Sequence, residues 1–192
     1  MVPRETPSPD DLQARLAVYA DLVRRFATRL DLVSPSSLLT FEERHIGDSL
    51  KALPVIDGLP PGPAVDVGSG AGLPGIPLAL ARPDRPWTLV EPRSGRAAFL
   101  EEAVRTLGAD VEVVCARVED LGPSFGTFTV ATARAVAAPD EAISLLSPLV
   151  GIHGTIVLWI GASAVRPPGS AEPVPGIVTI KPSSPKEMEG NG

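Results

Sequence analysis

The chain has 192 residues, of which 44% are hydrophobic and 21% are charged, a composition typical of one globular domain rather than of a disordered chain. Its net charge of −6 counts against a general nucleic-acid binder, although it does not exclude a local basic patch. Charges throughout the first thirty positions argue against a signal peptide, and no apolar run is long enough for a membrane span, so we expect a cytoplasmic protein.

The N-terminal part of the chain predicts helices. Residues 1–9 contain three prolines and are expected to form a flexible end. Asp10 or Asp11 is the candidate cap of a first helix. Apolar residues then follow at steps of three and four, the helical period; they are Leu12, Leu16, Tyr19, Val23, Phe26 and Leu30. A second helix is expected over about 38–56, with a break at Pro54.

From residue 64 onward, short apolar runs alternate with helical patterns. The predicted strands are 64–67, 87–90, 111–115, 127–132 and 154–160, with a further β-like run at 177–180, and the predicted helices are 73–81, 94–107 and 139–146. This alternation predicts an α/β fold with a mostly parallel sheet and helices on both faces. The expected domains are a helical segment at 10–60, an α/β domain at 61–180 and a disordered tail at 181–192.

The first predicted strand runs into a glycine-rich turn that spans Asp66 to Gly72 with the spacing D-x-G-x-G-x-G. Such a turn leaves the backbone bare and offers N–H groups at a helix start to a nucleotide-like ligand. The dinucleotide pattern G-x-G-x-x-G fits 70–75, but the strand ends at Gly68, and from there the third glycine would fall at Leu73. This frame favours S-adenosylmethionine, whose amino group Asp66 can hold directly or through water, over the cofactor of an NAD-dependent dehydrogenase. The alternative is a merely tight turn.

Polar residues at other positions are further site candidates. Glu91 ends the second strand, 19 residues after Gly72, where a carboxylate can accept both ribose hydroxyls of an adenosine. Arg134 follows the fourth strand and either ends in solvent or reaches into the site. His45 and Asp48 lie three residues apart and share a helix face, which is equally well explained as a polar surface.

Cysteine and histidine usage argues against metal and nucleophile chemistry. The single cysteine, Cys115, lies in an apolar run and is expected to be a small core residue, and the two histidines are far apart in the sequence. We therefore expect no metal site, no Cys–His pair and no Ser–His–Asp arrangement.

Four segments that occur in order also resemble a known family. They are Arg44 to Ser49, Val65 to Pro77, Arg117 to Asp120 and Ala133 to Ala135. The chain resembles the glucose-inhibited division protein B family, the bacterial small-subunit rRNA guanine-N7 methyltransferases, over roughly residues 21–161. The resemblance implies a Rossmann-like methyltransferase fold behind an N-terminal helical segment. It also implies S-adenosylmethionine as the cofactor and 16S rRNA or a ribosomal particle as the partner. We expect a monomer with no membrane or metal partner.

The resemblance also implies roles for individual residues. The adenine is expected beside Val118 and Glu119, Glu91 matches the ribose-binding acid, and Arg134 matches an arginine at the cofactor and substrate site. The expected cofactor-binding residues are Asp66, Gly68, Ser69, Gly70, Leu73, Glu91, Val118, Glu119 and Arg134, and the expected substrate residues are His45, Asp48 and Arg134. No acid–base group is expected, because guanine N7 carries a lone pair and no proton.

Three features depart from the family pattern. Gly95-Arg96 stands where the family has lysine-arginine, and the fifth strand ends Trp159-Ile160-Gly161 without the family's lysine. The C-terminal part is short and proline-rich where the family completes its sheet with an antiparallel hairpin. Two alternatives therefore stand beside the rRNA methyltransferase: a paralogue that methylates a small molecule, and a degenerate homologue that binds the cofactor or ribosomes without catalysis.

Overall fold

The computed structural model describes residues 5–122, 125–161 and 164–182. Most of the predicted tail at 181–192, and the first four residues of the predicted flexible end, lie outside these residues. Within them no helix combines the length and the apolar character needed to cross a membrane.

The chain begins with a long helix, α1, at Pro9–Leu30. Ser8 caps it, because its side-chain oxygen accepts the backbone N–H of Asp11 at 3.2 Å. The cap predicted at Asp10 or Asp11 is therefore wrong. Both aspartates lie in the first turn instead, where a negative charge interacts favourably with the helix dipole.

The single helix predicted over about 38–56 is replaced by four short elements. They are α2 (Pro35–Leu38), a π-helical turn (Phe41–Ile46), α3 (Gly47–Leu50) and α4 (Leu53–Asp57). The break predicted at Pro54 is also misplaced. Pro54 lies in the first turn of α4, where a proline has no N–H bond to lose.

Among the residues that the structure describes, a seven-stranded sheet forms the centre. Its strands are β1 (Ala64–Val67), β2 (Trp87–Val90), β3 (Val111–Val114), β4 (Phe128–Arg134), β5 (Val150–Trp159), β6 (Ala171–Val174) and β7 (Ile177–Ile180), in the order β3-β2-β1-β4-β5-β7-β6. The helices α5 (Gly75–Ala81), α6 (Ser94–Thr106) and α7 (Pro139–Leu146) join them. The first five strands pair in parallel, as predicted.

The C-terminal strands β6 and β7 form an antiparallel hairpin, and β7 pairs antiparallel with β5. The expectation that the C-terminal part is too short for this hairpin is therefore wrong. Sequence reasoning missed β6 because its residues lie mostly exposed at the sheet edge and include Pro173, which lowers the strand signal.

The two faces of the sheet bury different layers. Val65 and Ala131 pack in the apolar cluster that contains α7 residues, whereas Ala64 and Val130 pack with Leu78 of α5. Because side chains alternate along a strand, the residues in step with Ala64 and Val130 face the side that carries α5 and the N-terminal helices. Polar side chains on that face therefore lie between the sheet and the N-terminal segment.

The order of the strands reverses at β1, which lies between β2 and β4. Val67, the last residue of β1, pairs with Val90 of β2 and with Ala133 of β4. The residues that follow, Gly68 and Glu91, therefore emerge at the same edge as the end of β4. Ligands of open α/β sheets bind in the crevice at this switch point.

Candidate functional site

Asp66 is the polar centre of the turn that follows β1. Its side chain is completely buried; Oδ1 accepts the hydroxyl of Thr132 at 2.7 Å, and Oδ2 accepts the N–H of Gly75 at 3.3 Å. Burial raises the pKa of Asp66 to about 6, against the opposing effect of the Thr132 hydrogen bond. Asp66 thus ties the start of α5 to β4. The expected direct contact with a ligand does not fit a carboxylate with no exposed surface.

Gly75 is required by the packing beneath this turn. A Cβ atom at this position would lie 2.3 Å from Cδ2 of Leu89 and 2.8 Å from Oδ2 of Asp66. Any larger residue would therefore push α5 away from the carboxylate that holds it.

The three turn glycines serve different purposes, contrary to the expectation that all three leave the backbone bare. A Cβ at Gly68 would meet Cγ2 of Val136 at 2.5 Å, and one at Gly72 would meet Cδ1 of Ile76 at 2.5 Å. Gly70 has a φ of +57°, and its nearest such contact is 3.8 Å away, on the neighbouring backbone. Gly70 alone of the three leaves open space that a ligand can enter.

Glu91 closes the turn from the neighbouring strand. It is 3% exposed; its Oε2 accepts the N–H of Gly70 at 2.8 Å, and its Oε1 accepts the N–H of Arg93 at 3.0 Å. A carboxylate offers about four lone-pair positions, so each oxygen retains room for another donor. Glu91 therefore lies at the predicted edge, joined directly to the open glycine.

Two other expected cofactor residues of the turn have internal roles. The hydroxyl of Ser69 is buried and donates to the backbone oxygen of Asp66 at 2.9 Å. Leu73 is half-buried and packs against the apolar cluster that includes α1 side chains. Contacts from these residues to a ligand would therefore come from the backbone or from part of the Leu73 side chain.

The residues expected beside an adenine lie in a 3₁₀ turn, Val118–Asp120, that follows β3. Val118 is half-buried against the cluster on the α7 side of the sheet, and Glu119 is exposed. Cys115, the residue after β3, is exposed rather than part of the core, because β3 lies at the sheet edge. The prediction that Cys115 is a core residue is therefore wrong, because an apolar run beside an edge strand is not fully covered.

Arg134 brings the expected substrate residues together. Its Nη2 lies 2.9 Å from Nδ1 of His45 and 3.6 Å from Oδ2 of Asp48, and its Nη1 donates to the backbone oxygen of His45 at 3.3 Å. Burial lowers the pKa of His45, as do Arg134 and Arg44, while Asp48 raises it. Of the two alternatives for Arg134, the structure shows the inward one: the side chain joins β4 to the N-terminal segment.

Sequence reasoning missed several residues that support this arrangement. Tyr19 donates its hydroxyl to the backbone oxygen of Ala71 at 2.8 Å, and Trp159 donates Nε1 to the backbone oxygen of Asp48 at 3.1 Å. Tyr19 had only the helical stripe as a signal, which indicates a core residue. Thr132 could have been found from strand register, because it pairs directly with Asp66.

A groove of about 690 Å³ lies beside Arg134, between the sheet edge and the N-terminal segment. Its lining includes Ser37, Thr40, Arg44, His45, Lys51 and Arg134. No group of histidine, cysteine and acidic residues suited to a metal ion occurs in the part of the chain that the structure describes. The lining carries three cations and two carboxylates, Glu43 and Asp48, so the groove is polar with a net charge of +1, which suits a strongly polar ligand that bears negative charge.

The sequence model of the family described as rRNA small subunit methyltransferase G (GidB) matches residues 12–167. Similar proteins carry the same description. The ribosomal RNA small subunit methyltransferase G of Clavibacter sepedonicus is 41% identical over 156 residues, 79% of this chain and 72% of its own length. That of Mycobacterium leprae (strain TN) is 41% identical over 72% of this chain and 57% of its own length. That of Kineococcus radiotolerans is 38% identical over 85% and 71%. The chain thus spans 57% to 72% of these relatives.

Solved structures agree with the fold. A mutant of MtNAS in complex with S-adenosylmethionine superimposes with a TM-score of 0.55 at 18% identity, covering 88% of this chain and 75% of that one. Coclaurine N-methyltransferase, bound to N-methylheliamine and SAH, gives a TM-score of 0.52 at 14% identity, covering 80% and 52%. At such identities the likeness concerns the fold alone.

Proposed function

The chain belongs to the rRNA small subunit methyltransferase G family, and on that premise we propose that it transfers a methyl group from S-adenosylmethionine to N7 of a guanine in small-subunit rRNA. The observation that carries the proposal is the position of the open turn at Gly70. The turn is hydrogen-bonded to Glu91 and lies at the same sheet edge as Arg134 and its cationic groove.

The residues at the switch point fit S-adenosylmethionine. Gly70 leaves open a space that a Cβ would fill, and Glu91 offers free lone pairs to ribose hydroxyls at the end of β2. The 3₁₀ turn with Val118 and Glu119 then flanks the adenine from the end of β3. In this arrangement the adenosine lies on the β2–β3 side, and Gly68 faces the methionine end. Asp66 acts through the turn that it holds rather than by contact.

When bound, S-adenosylmethionine supplies an electrophilic methyl group on a sulfonium. Transfer to guanine N7 would use the lone pair of the base to form the new carbon–nitrogen bond and would leave the electron pair of the carbon–sulfur bond on sulfur. The guanine takes up the positive charge, and no proton has to move before the step. The chain therefore needs no general base; it has to hold N7 in line with the methyl and sulfur atoms, which contributes about 7–11 kcal/mol at best.

The groove beside Arg134 supports an RNA substrate on a chain that is acidic overall. Its cations are Arg44, Lys51 and Arg134, and two of them share the carboxylate of Asp48, at 3.3 and 3.6 Å. Arg44 is exposed and forms no ion pair among the described residues. We infer that Arg44 contacts a backbone phosphate of the rRNA and that the protein acts as a monomer, with the rRNA or its ribosomal particle as the partner.

The alternatives raised by the sequence have lost part of their support. The degenerate homologue was motivated by a C-terminus too short for the hairpin, yet β6 and β7 form it. The small-molecule paralogue was motivated by the acidic charge and by the lysine missing at the end of the fifth strand. The groove beside the site carries a net positive charge, which weakens the first reason, whereas the missing lysine still stands.

The test is a transfer assay with labelled S-adenosylmethionine. The acceptors are small ribosomal subunits from a strain that lacks this modification and, separately, free nucleosides. Label in the rRNA supports the proposal. Label in free nucleosides alone supports the small-molecule reaction, and cofactor binding without transfer supports the degenerate homologue; either result contradicts the proposal.

A further inference from the structure

The contact between Arg134 and His45 fixes which imidazole nitrogen carries the proton. A guanidinium has hydrogen-bond donors and no acceptor. Because Nη2 of Arg134 lies 2.9 Å from Nδ1 of His45, Nδ1 accepts the bond and is unprotonated. The ring proton is therefore on Nε2, which makes no hydrogen bond among the residues that the structure describes.

The surroundings of His45 keep the ring neutral and in place. Three charged groups face it: Arg134 from β4, Arg44 from the same π-helical turn and Asp48 from α3. Burial and the two arginines lower the pKa of His45, and Asp48 opposes them. The ring of Phe41 packs against the imidazole with centroids 5.6 Å apart. The neutral imidazole of His45 is thus held in place by the ring of Phe41 and by the guanidinium of Arg134, which also bonds the backbone oxygen of His45.

His45 lies on the side of the switch point where the acceptor has to enter. In the cofactor arrangement proposed above, the adenosine would lie towards Glu91 at the end of β2, and the methionine end would face β1 and β4. Arg134 ends β4, next to the turn after β1, and His45 lines the groove that opens there. A purine that turned its N7 edge towards the methyl group would bring its neighbouring six-position towards the groove wall that includes His45.

We propose that Nε2–H of His45 donates a hydrogen bond to O6 of the acceptor guanine, with Arg134 as the positioning residue that selects this tautomer. This inference rests on the proposed function. A donor to O6 leaves the neighbouring N7 lone pair free to attack, whereas a donor to N7 would block the reaction. Adenine carries an amino group at the six-position. Its N–H donors would face the Nε2–H donor of His45, and no hydrogen bond could form between them. His45 therefore reads guanine at the reacting edge.

The test combines base analogues with protein variants. After the acceptor has been mapped in labelled rRNA, small subunits are reconstituted with guanosine, inosine or 2-aminopurine riboside at that position. Inosine keeps O6, and 2-aminopurine lacks it. We expect the unchanged protein to accept inosine like guanosine and to lose about tenfold or more in kcat/KM on 2-aminopurine, because the Nε2–H donor of the half-buried His45 would then have no partner in the complex.

The variants separate recognition from folding. His45→Ala is expected to show no preference for guanosine over 2-aminopurine, and His45→Gln, whose amide N–H replaces Nε2–H, to restore part of the preference. His153→Ala is the matched control. His153 is the other of the two histidines in the chain, and it lies exposed near the start of β5. We expect it to keep the preference of the unchanged protein.

The position of the proton on the His45 ring gives a second readout, which is independent of methyl-transfer activity. Imidazole nitrogen NMR spectra of the unchanged protein, assigned with His153→Ala, are expected to show Nδ1 of His45 unprotonated, and Arg134→Ala to redistribute the proton. The inference would be overturned if the unchanged protein and His45→Ala preferred O6 equally, or if Nδ1 of His45 carried the proton. Methyl transfer itself would persist in either case. No transfer to guanosine subunits by the unchanged protein would overturn the proposed function and this inference together.

Discussion

The backbone N–H of Gly70 donates to Oε2 of Glu91 across 2.8 Å and so joins the turn after β1 to the end of β2. Two features that lie 21 residues apart in the sequence form one binding unit, an open backbone and a carboxylate that shapes it. The second carboxylate oxygen holds the N–H of Arg93, which precedes α6. The shape of the pocket therefore depends on a carboxylate rather than on glycines alone.

Glu91→Gln is expected to weaken S-adenosylmethionine binding by about tenfold or more, because an amide N–H would face the N–H of Gly70 or Arg93 and leave a buried donor unpaired. Titration calorimetry measures the loss. Glu101→Gln, an exposed acid on α6, is the matched control and should bind like the unchanged protein. Equal affinity of the two variants would refute the role of Glu91.

Asp66 is expected to make stability depend on pH. Its pKa is about 6 in the folded chain and 3.8 in the reference state, so between these values the folded chain binds more protons than the unfolded chain. The free energy of unfolding therefore falls as the pH rises from about 4 to 6. Relative to Asp66→Asn, the expected fall over this range is about 2 kcal/mol, part of a total of about 3 kcal/mol over the whole titration.

Urea unfolding of both proteins across this pH range measures the difference. Thr132→Val removes a hydrogen bond that lowers the pKa of Asp66, so it should move the fall to higher pH. A difference between the unchanged protein and Asp66→Asn that stays constant from pH 4 to 7 would contradict the buried carboxylate.

Arg134→Ala is expected to lower kcat/KM for rRNA methylation about tenfold or more, because His45 loses both of its hydrogen bonds to the guanidinium. Arg134→Lys keeps the positive charge beside Asp48 but cannot make both hydrogen bonds to His45. Its activity should therefore lie between those of the unchanged protein and Arg134→Ala. Transfer is expected to suffer more than cofactor affinity. Unchanged transfer and unchanged cofactor affinity in Arg134→Ala would remove this residue from the site.

Arg44→Ala is expected to weaken binding to small subunits and to reduce the slope of log affinity against log salt concentration by about 1, the signature of one lost phosphate contact. Filter binding at several salt concentrations measures both quantities. Arg105→Ala removes an arginine from the last turn of α6, where it pairs with Glu102, and is the control. A slope as steep in Arg44→Ala as in the unchanged protein would contradict the phosphate contact.

The strands were predictable because their signals are local. β1 and β2 are short, mostly apolar runs, and the structure gives them the predicted bounds of 64–67 and 87–90. The helical elements at 35–57 were not predictable as such, since a π-helical turn does not follow the 3.6-residue period on which the prediction depended. That turn decides where His45 lies.

The site was predictable in outline but not in its contacts. The sequence places Glu91 and Arg134 at strand ends, and parallel pairing brings strand ends to one edge. Whether Asp66 faces a ligand or the interior depends on the register between β1 and β4. That register places Asp66 beside Thr132, which lies 66 residues later in the sequence. The contact between Arg134 and His45 likewise joins residues 89 apart in the sequence. Such pairings depend on tertiary packing, which no local pattern records.

Identification of the methylated nucleoside decides whether the protein is a guanine-N7 methyltransferase. The protein is incubated with labelled S-adenosylmethionine and undermodified small subunits, and the rRNA is then digested to nucleosides and analysed by mass spectrometry. We expect the label on N7-methylguanosine, at one site per subunit. Label on any other nucleoside, or none in the rRNA while the protein binds the cofactor, would contradict it.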